Sequence, residues 1–217
     1  MTNQNEERRQ ESLQHQLNVL VHFAGILPLI LLLGTYTRGE LGFNPIEMVI
    51  QRTGRTAVAF LLLSLSCTPI NSLFKLPVVG RLRKPLGLYA ALYATLHFAA
   101  FSIWDYGLNF NLIWMEIREK PFIIIGASAL VILIVLAATS FRFWQRKLGK
   151  WWTWLHRLAY VAGVLVVVHY LLATKGDLFS LQGDYAAPLI AGGVLIISLI
   201  LRLPFVVRSL RKFFGQE

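Results

Sequence analysis

The sequence predicts an all-α integral membrane protein, a six-transmembrane-helix bundle with both termini in the cytoplasm. Hydrophobic residues make up 56% of the 217 residues and charged residues only 15%, whereas a soluble domain carries about a quarter charged residues. The hydrophobic residues also form long blocks, such as Ile26–Leu33, Val58–Leu65 and Ile190–Leu201. A spanning helix needs roughly 20 predominantly apolar residues. Blocks of this kind, bounded by charge, proline and glycine, therefore indicate membrane spans.

Six spans are expected, near residues 17–37, 54–73, 86–104, 121–140, 152–173 and 186–205. They form a transmembrane domain at 17–205, preceded by a cytoplasmic N-terminal segment at 1–16 and followed by a cytoplasmic basic tail at 206–217. The first span is predicted to be a signal anchor that stays in the protein, because no small-residue cleavage site follows it. The segment Leu41–Thr53 is too polar to span and is expected along the outer face. No internal repeat is evident.

Lysine and arginine are divided unequally between the two sides of this arrangement. The larger group consists of Arg8, Arg9, Lys75, Arg81, Arg83, Lys84, Arg142, Arg146, Lys147, Lys150, Arg202, Arg208, Arg211 and Lys212. The smaller group consists of Arg38, Arg52, Arg55, Arg118, Lys120 and Lys175. Positively charged loops stay cytoplasmic, so the termini are expected inside. The net charge of +10 is then a topology signal, with anionic lipid headgroups as its counter-charge and no nucleic-acid partner.

The chemistry is expected to come from ionisable side chains inside the spans. The single cysteine, Cys67, lies in an apolar span, so the chain has neither a disulfide framework nor a thiolate metal cluster. No loop approaches the length of a nucleotide-binding domain. An ionisable residue in the bilayer is costly and is by default a functional hypothesis. The intramembrane histidines are therefore the main candidates.

Two of these histidines are predicted to face each other. His97 lies in the third span, and His156 and His169 lie in the fifth. At 1.5 Å per residue, His97 and His169 both fall in the outer half of the membrane, whereas His156 falls in the inner half. Two opposed neutral imidazoles are suitable axial ligands for haem iron. The spacing therefore predicts haem b between His97 and His169, although a lone histidine can also simply bond to a neighbouring helix.

The remaining ionisable residues leave alternatives open. No histidine of the third span lies at the depth of His156, and residues 13 apart on a straight helix point about 140° apart. A second haem or an electron path at His156 stays open, and Gly163 would permit a bend between the two histidines. His22 has a structural, headgroup or site role near the cytoplasmic interface. Arg157 is a candidate to pair with a haem propionate or a quinone, or to reach lipid phosphates.

Four longer stretches resemble a known family. They are LVHFAGILP at Leu20–Pro28, RTGRTAVAFLLLSLSCTP at Arg52–Pro69, LGLYAALYATLHF at Leu86–Phe98 and KLGKWWTWLHRLAYVAGVLVVVHY at Lys147–Tyr170. In this order and spacing they resemble the MsrQ (YedZ) family, the haem-binding membrane subunit of the periplasmic methionine sulfoxide reductase system. That family lies within the ferric-reductase-like transmembrane superfamily.

The resemblance implies an electron-transfer subunit of the bacterial inner membrane. Such proteins take electrons from the membrane quinone pool and deliver them to a periplasmic molybdopterin subunit, which reduces oxidised methionines in envelope proteins. The family's histidine positions match His22, His97, His156 and His169. The resemblance makes three cations candidates near a quinone or second cofactor: Arg83, Lys84 and Arg157. Flavin mononucleotide (FMN) has also been associated with the family, but nothing in the sequence shows a site for it.

The sequence departs from the superfamily in two respects. Ferric reductases and NADPH oxidases resemble a six-helix core with two histidines on span three, fused to flavin and nicotinamide domains. Here span three has His97 alone, and the chain ends shortly after the last span. The electron donor and the final reductase are therefore expected to be separate molecules. Two rival hypotheses stay open: a haem subunit for a different periplasmic reductase, and a cofactor-free membrane scaffold or transporter.

Overall fold

The computed structural model describes residues 2–174 and 184–213, with side chains from residue 8 onward. Its regular elements are ten α-helices: α1 (Thr2–Thr37), α2 (Pro45–Phe74), α3 (Pro77–Ala99), α4 (Phe110–Glu119), α5 (Phe122–Ala138), α6 (Arg142–Leu148), α7 (Lys150–His156), α8 (Leu158–Ala173), α9 (Ala186–Ile200) and α10 (Pro204–Phe213). A π-helical segment, Ala100–Asp105, continues α3. No strand occurs within the described ranges, so the predicted all-α membrane bundle is confirmed.

Four stretches of helix are long and apolar enough to cross a membrane: Arg8–Thr37, Pro45–Phe74, Pro77–Asp105 and Lys150–Ala173. Two further crossings are present if each bent pair counts as one span, namely α4 with α5, bent by 113°, and α9 with α10, bent by 88°. The protein therefore passes through the membrane several times, up to the six predicted. We call the end of the bundle that carries α4 the outer end, and the end that carries α6 and α10 the inner end.

Several helix boundaries differ from the prediction. The α1 helix begins at Thr2 and runs unbroken through the expected boundary at residue 17. Most of Leu41–Thr53 is not a separate segment on the outer face but the first turns of α2, because the Asn44 side chain caps the backbone N–H of Glu47 at 3.2 Å. The last span ends at Ile200, ahead of α10. Lys175, one of the expected outer cations, lies outside the described residues.

Arg202 bonds to two neighbouring helices near the inner end. Pro69 lies inside α2 and has no N–H, so the carbonyl of Leu65 lacks its usual helical donor. Arg202, just after α9, donates to that carbonyl from Nη2 at 2.6 Å. It also donates to the Tyr160 hydroxyl of α8 and lies 4.4 Å from the centre of the Tyr160 ring. One guanidinium therefore links α2, α8 and the end of α9.

The centre of the bundle is built from two similar helix pairs, α2 with α3 and α5 with α8. Equivalent positions lie 72 residues apart, as in 54 to 126, 61 to 133 and 97 to 169. The counterparts are alike in burial: Leu61 and Leu133 are 4% and 5% exposed, and Ala90 and Ala162 are both 0% exposed. Parallel repeats are also known in membrane transporters. The expectation of no internal repeat is therefore wrong; few identities remain because apolar residues substitute for one another in these helices.

Candidate functional site

His97 on α3 and His169 on α8 meet between the two helix pairs. The centres of their imidazole rings are 6.1 Å apart, and the ring planes are 81° from parallel. The two residues lie at equivalent positions of the repeat, 72 residues apart. The predicted agreement in depth therefore corresponds to a direct approach of the two side chains.

Each imidazole is anchored by a backbone carbonyl of the helix that it faces. Nδ1 of His97 donates to the carbonyl of Ile50 on α2 at 2.8 Å. Nδ1 of His169 donates to the carbonyl of Phe122 at the start of α5, also at 2.8 Å. A carbonyl can only accept, so the proton is on Nδ1 and the Nε2 nitrogen keeps a free lone pair. Metal-bound histidines are oriented by a hydrogen bond of this type.

A glycine lies against each ring, one turn after the accepting carbonyl. A Cβ atom added to Gly54 would lie 2.9 Å from Nδ1 of His97, and one added to Gly126 would lie 2.7 Å from Nδ1 of His169. Real Cβ atoms do not approach so closely, so only glycine leaves room for the imidazoles in these positions. The two histidines therefore occupy matching seats, each made by a carbonyl and a glycine four residues later.

The histidines line a cavity of about 650 Å³, within the range of roughly 300–1,000 Å³ typical of ligand pockets. Its walls come from equivalent positions of the two helix pairs: Ile50 and Phe122, Gly54 and Gly126, Ala57 and Ala129, Val58 and Leu130, Leu61 and Leu133, Ala94 and Val166, Phe98 and Tyr170. The deep walls are apolar. The two halves thus enclose one shared compartment.

Charged residues of the described chain line the outer mouth of this cavity: Glu47, Arg55, Asp105, Glu116, Lys120 and Asp184. Arg55 and Asp184 form an ion pair at 3.4 Å, with both side chains more than half exposed. Lys120 donates to Glu116, and this contact lowers the pKa of the Glu116 carboxyl and raises the pKa of Lys120. Burial, followed by hydrogen bonding to Glu116, raises the pKa of Tyr106 to about 12. The cavity is therefore apolar inside and charged at its mouth.

This donor set fits a haem. Metal–imidazole bonds of about 2.0 Å place two axial nitrogens about 4 Å apart, with the ring centres somewhat further apart. The 6.1 Å between the ring centres agrees with that requirement. The free Nε2 nitrogens and the apolar walls match an iron ring with an apolar body.

His156 does not join this pair. Its ring packs against Trp152 in a tilted arrangement with the ring centres 4.1 Å apart, and its Nε2 lies 3.2 Å from the Thr139 hydroxyl. That hydroxyl donates to the carbonyl of Val135, so Nε2 of His156 is the donor in the contact. The helix break near His156 falls at Arg157, between α7 and α8, and not at Gly163, which packs against Leu195 and Leu65 within α8. Lys84 is the repeat equivalent of His156.

The other predicted site residues also lie away from the cavity. His22 on α1 is exposed at the bundle surface, and its Nδ1 lies 3.0 Å from the Tyr89 hydroxyl. Arg83 and Lys84 precede His97 by 14 and 13 residues, about 20 Å along α3. Lys84 lies over the Phe141 ring at 5.6 Å, and Arg157 is exposed. These cations therefore belong to the inner end.

Reading the sequence alone missed the glycine seats, the accepting carbonyls and the mouth residues. Backbone carbonyls carry no side-chain signal, and Gly54 and Gly126 look like ordinary packing glycines in apolar helices. The repeat was the available signal, because a glycine 43 residues before each histidine (54 to 97, 126 to 169) recurs only when the two halves are aligned.

The chain matches a known protein family. The family model described as the ferric reductase like transmembrane component matches residues 53–168, just over half of the 217-residue chain. The matched region includes α3, α5 and most of α2 and α8, with His97 and His156, and it ends one residue before His169. It therefore covers nearly all of both helix pairs that enclose the cavity.

Proposed function

This chain belongs to the family of ferric reductase-like transmembrane components, and from this premise we propose that it is a b-type cytochrome with haem held between His97 and His169. Membership places it among membrane electron-transfer components. The observation that carries the proposal is the pair of imidazoles 6.1 Å apart, each with Nδ1 bonded to a backbone carbonyl. A structural histidine pair would not need two matching seats with free Nε2 nitrogens.

The protein's own residues prepare this site for electron transfer. Haem, when bound, supplies one-electron chemistry, and its potential depends on ligands, burial and nearby charge. His97 and His169 offer two strong axial nitrogens with fixed orientation. The apolar walls, such as Leu61 and Leu133, exclude water. The cavity opens at the charged mouth of the outer end. A partner that docks on this face would therefore lie closest to the histidines.

We further propose the direction and the partners. Electrons enter from membrane quinol and leave at the outer end for a periplasmic molybdopterin-containing methionine sulfoxide reductase subunit, in a bacterial inner membrane. This rests on the resemblance of the four sequence stretches to the MsrQ family, and on the clustering of cations at the inner end. The inner cations Arg83, Lys84 and Arg157 are candidates for the quinone headgroup. FMN as a possible additional cofactor rests on the family resemblance alone.

The haem ligands are tested by reduced-minus-oxidised absorbance spectra of the purified protein, with haem measured per chain. His97→Ala and His169→Ala should each abolish the low-spin signal, because one axial nitrogen is lost. His15→Ala, an exposed histidine of α1, is the control and should retain it. Full absorbance in either ligand variant would remove the proposal. One haem per chain supports the single pair. Two haems, falling to one in His156→Ala, would make His156 a ligand of a second haem; His22 is the other candidate for that haem or for an electron path.

The partner is tested with the same preparation. Quinol should reduce the haem, and a purified periplasmic molybdopterin reductase supplied with methionine sulfoxide should reoxidise it as the sulfoxide is reduced to methionine. Reoxidation by an unrelated periplasmic reductase instead would favour the rival cytochrome hypothesis. Absence of haem after expression with ample haem supply would favour the scaffold or transporter.

A further inference from the structure

We propose that Gly54 and Gly126 are positioning residues which, together with the carbonyls of Ile50 and Phe122, hold the two axial imidazole planes nearly perpendicular. The inference rests on the proposed function, because it concerns the same histidines as haem ligands. It goes further in assigning the relative orientation of the rings to two residues that never touch the iron.

The seat of His97 is made by one carbonyl and one glycine of α2. Ile50 and Gly54 lie one helical turn apart on the same face of α2. The carbonyl of Ile50 holds Nδ1 of His97 at 2.8 Å, while the missing side chain of Gly54 leaves space for the same edge of the ring. An added Cβ would lie 2.9 Å from Nδ1 and 3.1 Å from Cε1. The ring can therefore reach the carbonyl only over a glycine.

The seat of His169 on α5 repeats this arrangement. Phe122 and Gly126 stand in the same relation to His169, with Nδ1 at 2.8 Å from the carbonyl and an added Cβ 2.7 Å from both Nδ1 and Cε1. If the two imidazole rings were oriented independently of each other, matching seats would not be required. A quasi-two-fold relation between the helix pairs also doubles the tilt of one ring when the angle between the planes is measured. We infer that both seats together hold the rings at the observed 81° between their planes.

The angle between the two imidazole planes affects the electronic structure of a bound haem. The angle between axial imidazole planes determines the splitting of the iron d orbitals in a low-spin ferric haem. Nearly perpendicular planes give a strongly anisotropic electron paramagnetic resonance (EPR) spectrum with one dominant low-field feature, whereas parallel planes give a rhombic spectrum. Second-shell hydrogen bonds also tune the reduction potential. Both properties should therefore respond to the two glycines.

The test compares EPR spectra and redox titrations of the purified protein with those of Gly54→Ala, Gly126→Ala and the double variant. Wild type should show the dominant low-field feature. Each single variant should move it towards the rhombic form and shift the potential, because the ring is pushed off its carbonyl, and the double variant should move it further. Gly193→Ala is the matched control, since an added Cβ there meets nothing within 4 Å, and its spectrum should not change.

Three results would overturn the inference: a rhombic spectrum in wild type, unchanged spectra in all glycine variants, or an equal change in Gly193→Ala. None of them affects the proposed function, which fails only if wild type has no haem or the histidine variants keep it. If a glycine variant loses haem, His97→Gly supplemented with free imidazole decides. Imidazole bound in the seat should restore the low-field feature in His97→Gly. The added substitution Gly54→Ala should prevent this restoration. If imidazole restores the feature whether or not Gly54 is replaced, the positioning role of Gly54 is rejected.

Discussion

Arg202 and Pro69 form the clearest coupled pair outside the cavity. The proline removes the donor that the Leu65 carbonyl would have in an uninterrupted helix, and the guanidinium replaces it at 2.6 Å. An acceptor left without a donor in a membrane interior is costly. The stability contributed by Arg202 therefore depends on which residue occupies position 69.

We predict that Arg202→Ala destabilises the protein by about 1–3 kcal/mol, the usual cost of an unsatisfied buried group. In a Pro69→Ala background the new N–H can donate to the Leu65 carbonyl, so the cost should fall by at least about 0.5 kcal/mol, the lower range of coupling between contacting residues. The measurement is equilibrium unfolding in mixed micelles, followed by helical circular dichroism. Arg208→Ala, an exposed cation on α10, serves as the control and should be additive with Pro69→Ala. Equal costs of Arg202→Ala in both backgrounds would show that the carbonyl contact is not the source.

At the same scale, the sequence predicted side chains better than their surroundings. Counting residues from the membrane edge converts position into depth, because a helix rises by a fixed amount per residue. That argument places His97 and His169 at one level, and the structure brings them together. Depth says nothing about rotation about the helix axis or about backbone atoms. The carbonyls of Ile50 and Phe122 depend on that rotation and could not be predicted, whereas Gly54 could have been found only by aligning the two halves of the repeat.

The junction between α4 and α5 is the element that shapes the outer mouth. The α4 helix turns through 113° from α5, and its apolar residues Trp114 and Met115 are more than half exposed. Such a helix suits the membrane interface, where an apolar face enters the lipid boundary. Lys120, which follows α4, bonds to the Glu116 side chain and donates its own N–H to the Glu116 carbonyl at 2.8 Å. This pair ties the end of α4 at the cavity mouth.

We predict that this tie weakens in acid. Lys120 lowers the pKa of Glu116 in the folded protein. The stabilisation that this ion pair gives the folded state is therefore complete above the pKa of an unfolded glutamate, about 4.3. It is lost as the pH falls through the lower pKa of Glu116 in the folded state. The raised pKa of Lys120 means that the contribution is also lost at strongly basic pH, above about 10.4. Amide hydrogen exchange of residues 110–124 should be slower in wild type than in Glu116→Gln between these limits. The difference should disappear in acid, and Glu40→Gln, at a separate pair with Arg38, should not affect this segment. A difference that persists in acid would contradict the assignment.

Helix ends were harder to predict than helix centres. Hydrophobicity locates the part of a helix inside the bilayer, but α1 and α2 extend beyond it at their polar beginnings. The start of α2 is set by the Asn44 cap and Pro45, which are local backbone features. The 88° turn before α10 also depends on a local backbone feature, because Pro204 begins a new helix.

At the scale of the whole molecule, two repeated helix pairs make one compartment that neither could enclose alone. Each pair supplies one histidine, one accepting carbonyl and one glycine. The compartment opens at the outer end, where α4 and the π-helical segment lie. The larger group of cations lies at the opposite end, on α6, α10 and the start of α3. The depth of the histidine pair and the charge asymmetry therefore define a direction across the membrane, and the proposed function depends on which end faces the periplasm.

The charge distribution predicts that the outer end is periplasmic, and impermeant maleimide labelling of single cysteines tests this. The native thiol is removed by Cys67→Ala, and Asn111→Cys on α4 and Ser209→Cys on α10 are introduced separately at exposed positions. In spheroplasts Asn111→Cys should be labelled at once, whereas Ser209→Cys should require permeabilisation. Cys67→Ala without a new cysteine is the control and should remain unlabelled. The reverse pattern would place the mouth of the histidine cavity next to the cytoplasm and remove the periplasmic reductase as its proposed partner. Labelling of both positions from one side would mean that an odd number of the helices between residues 111 and 209 does not cross, which would reject the six-span arrangement itself.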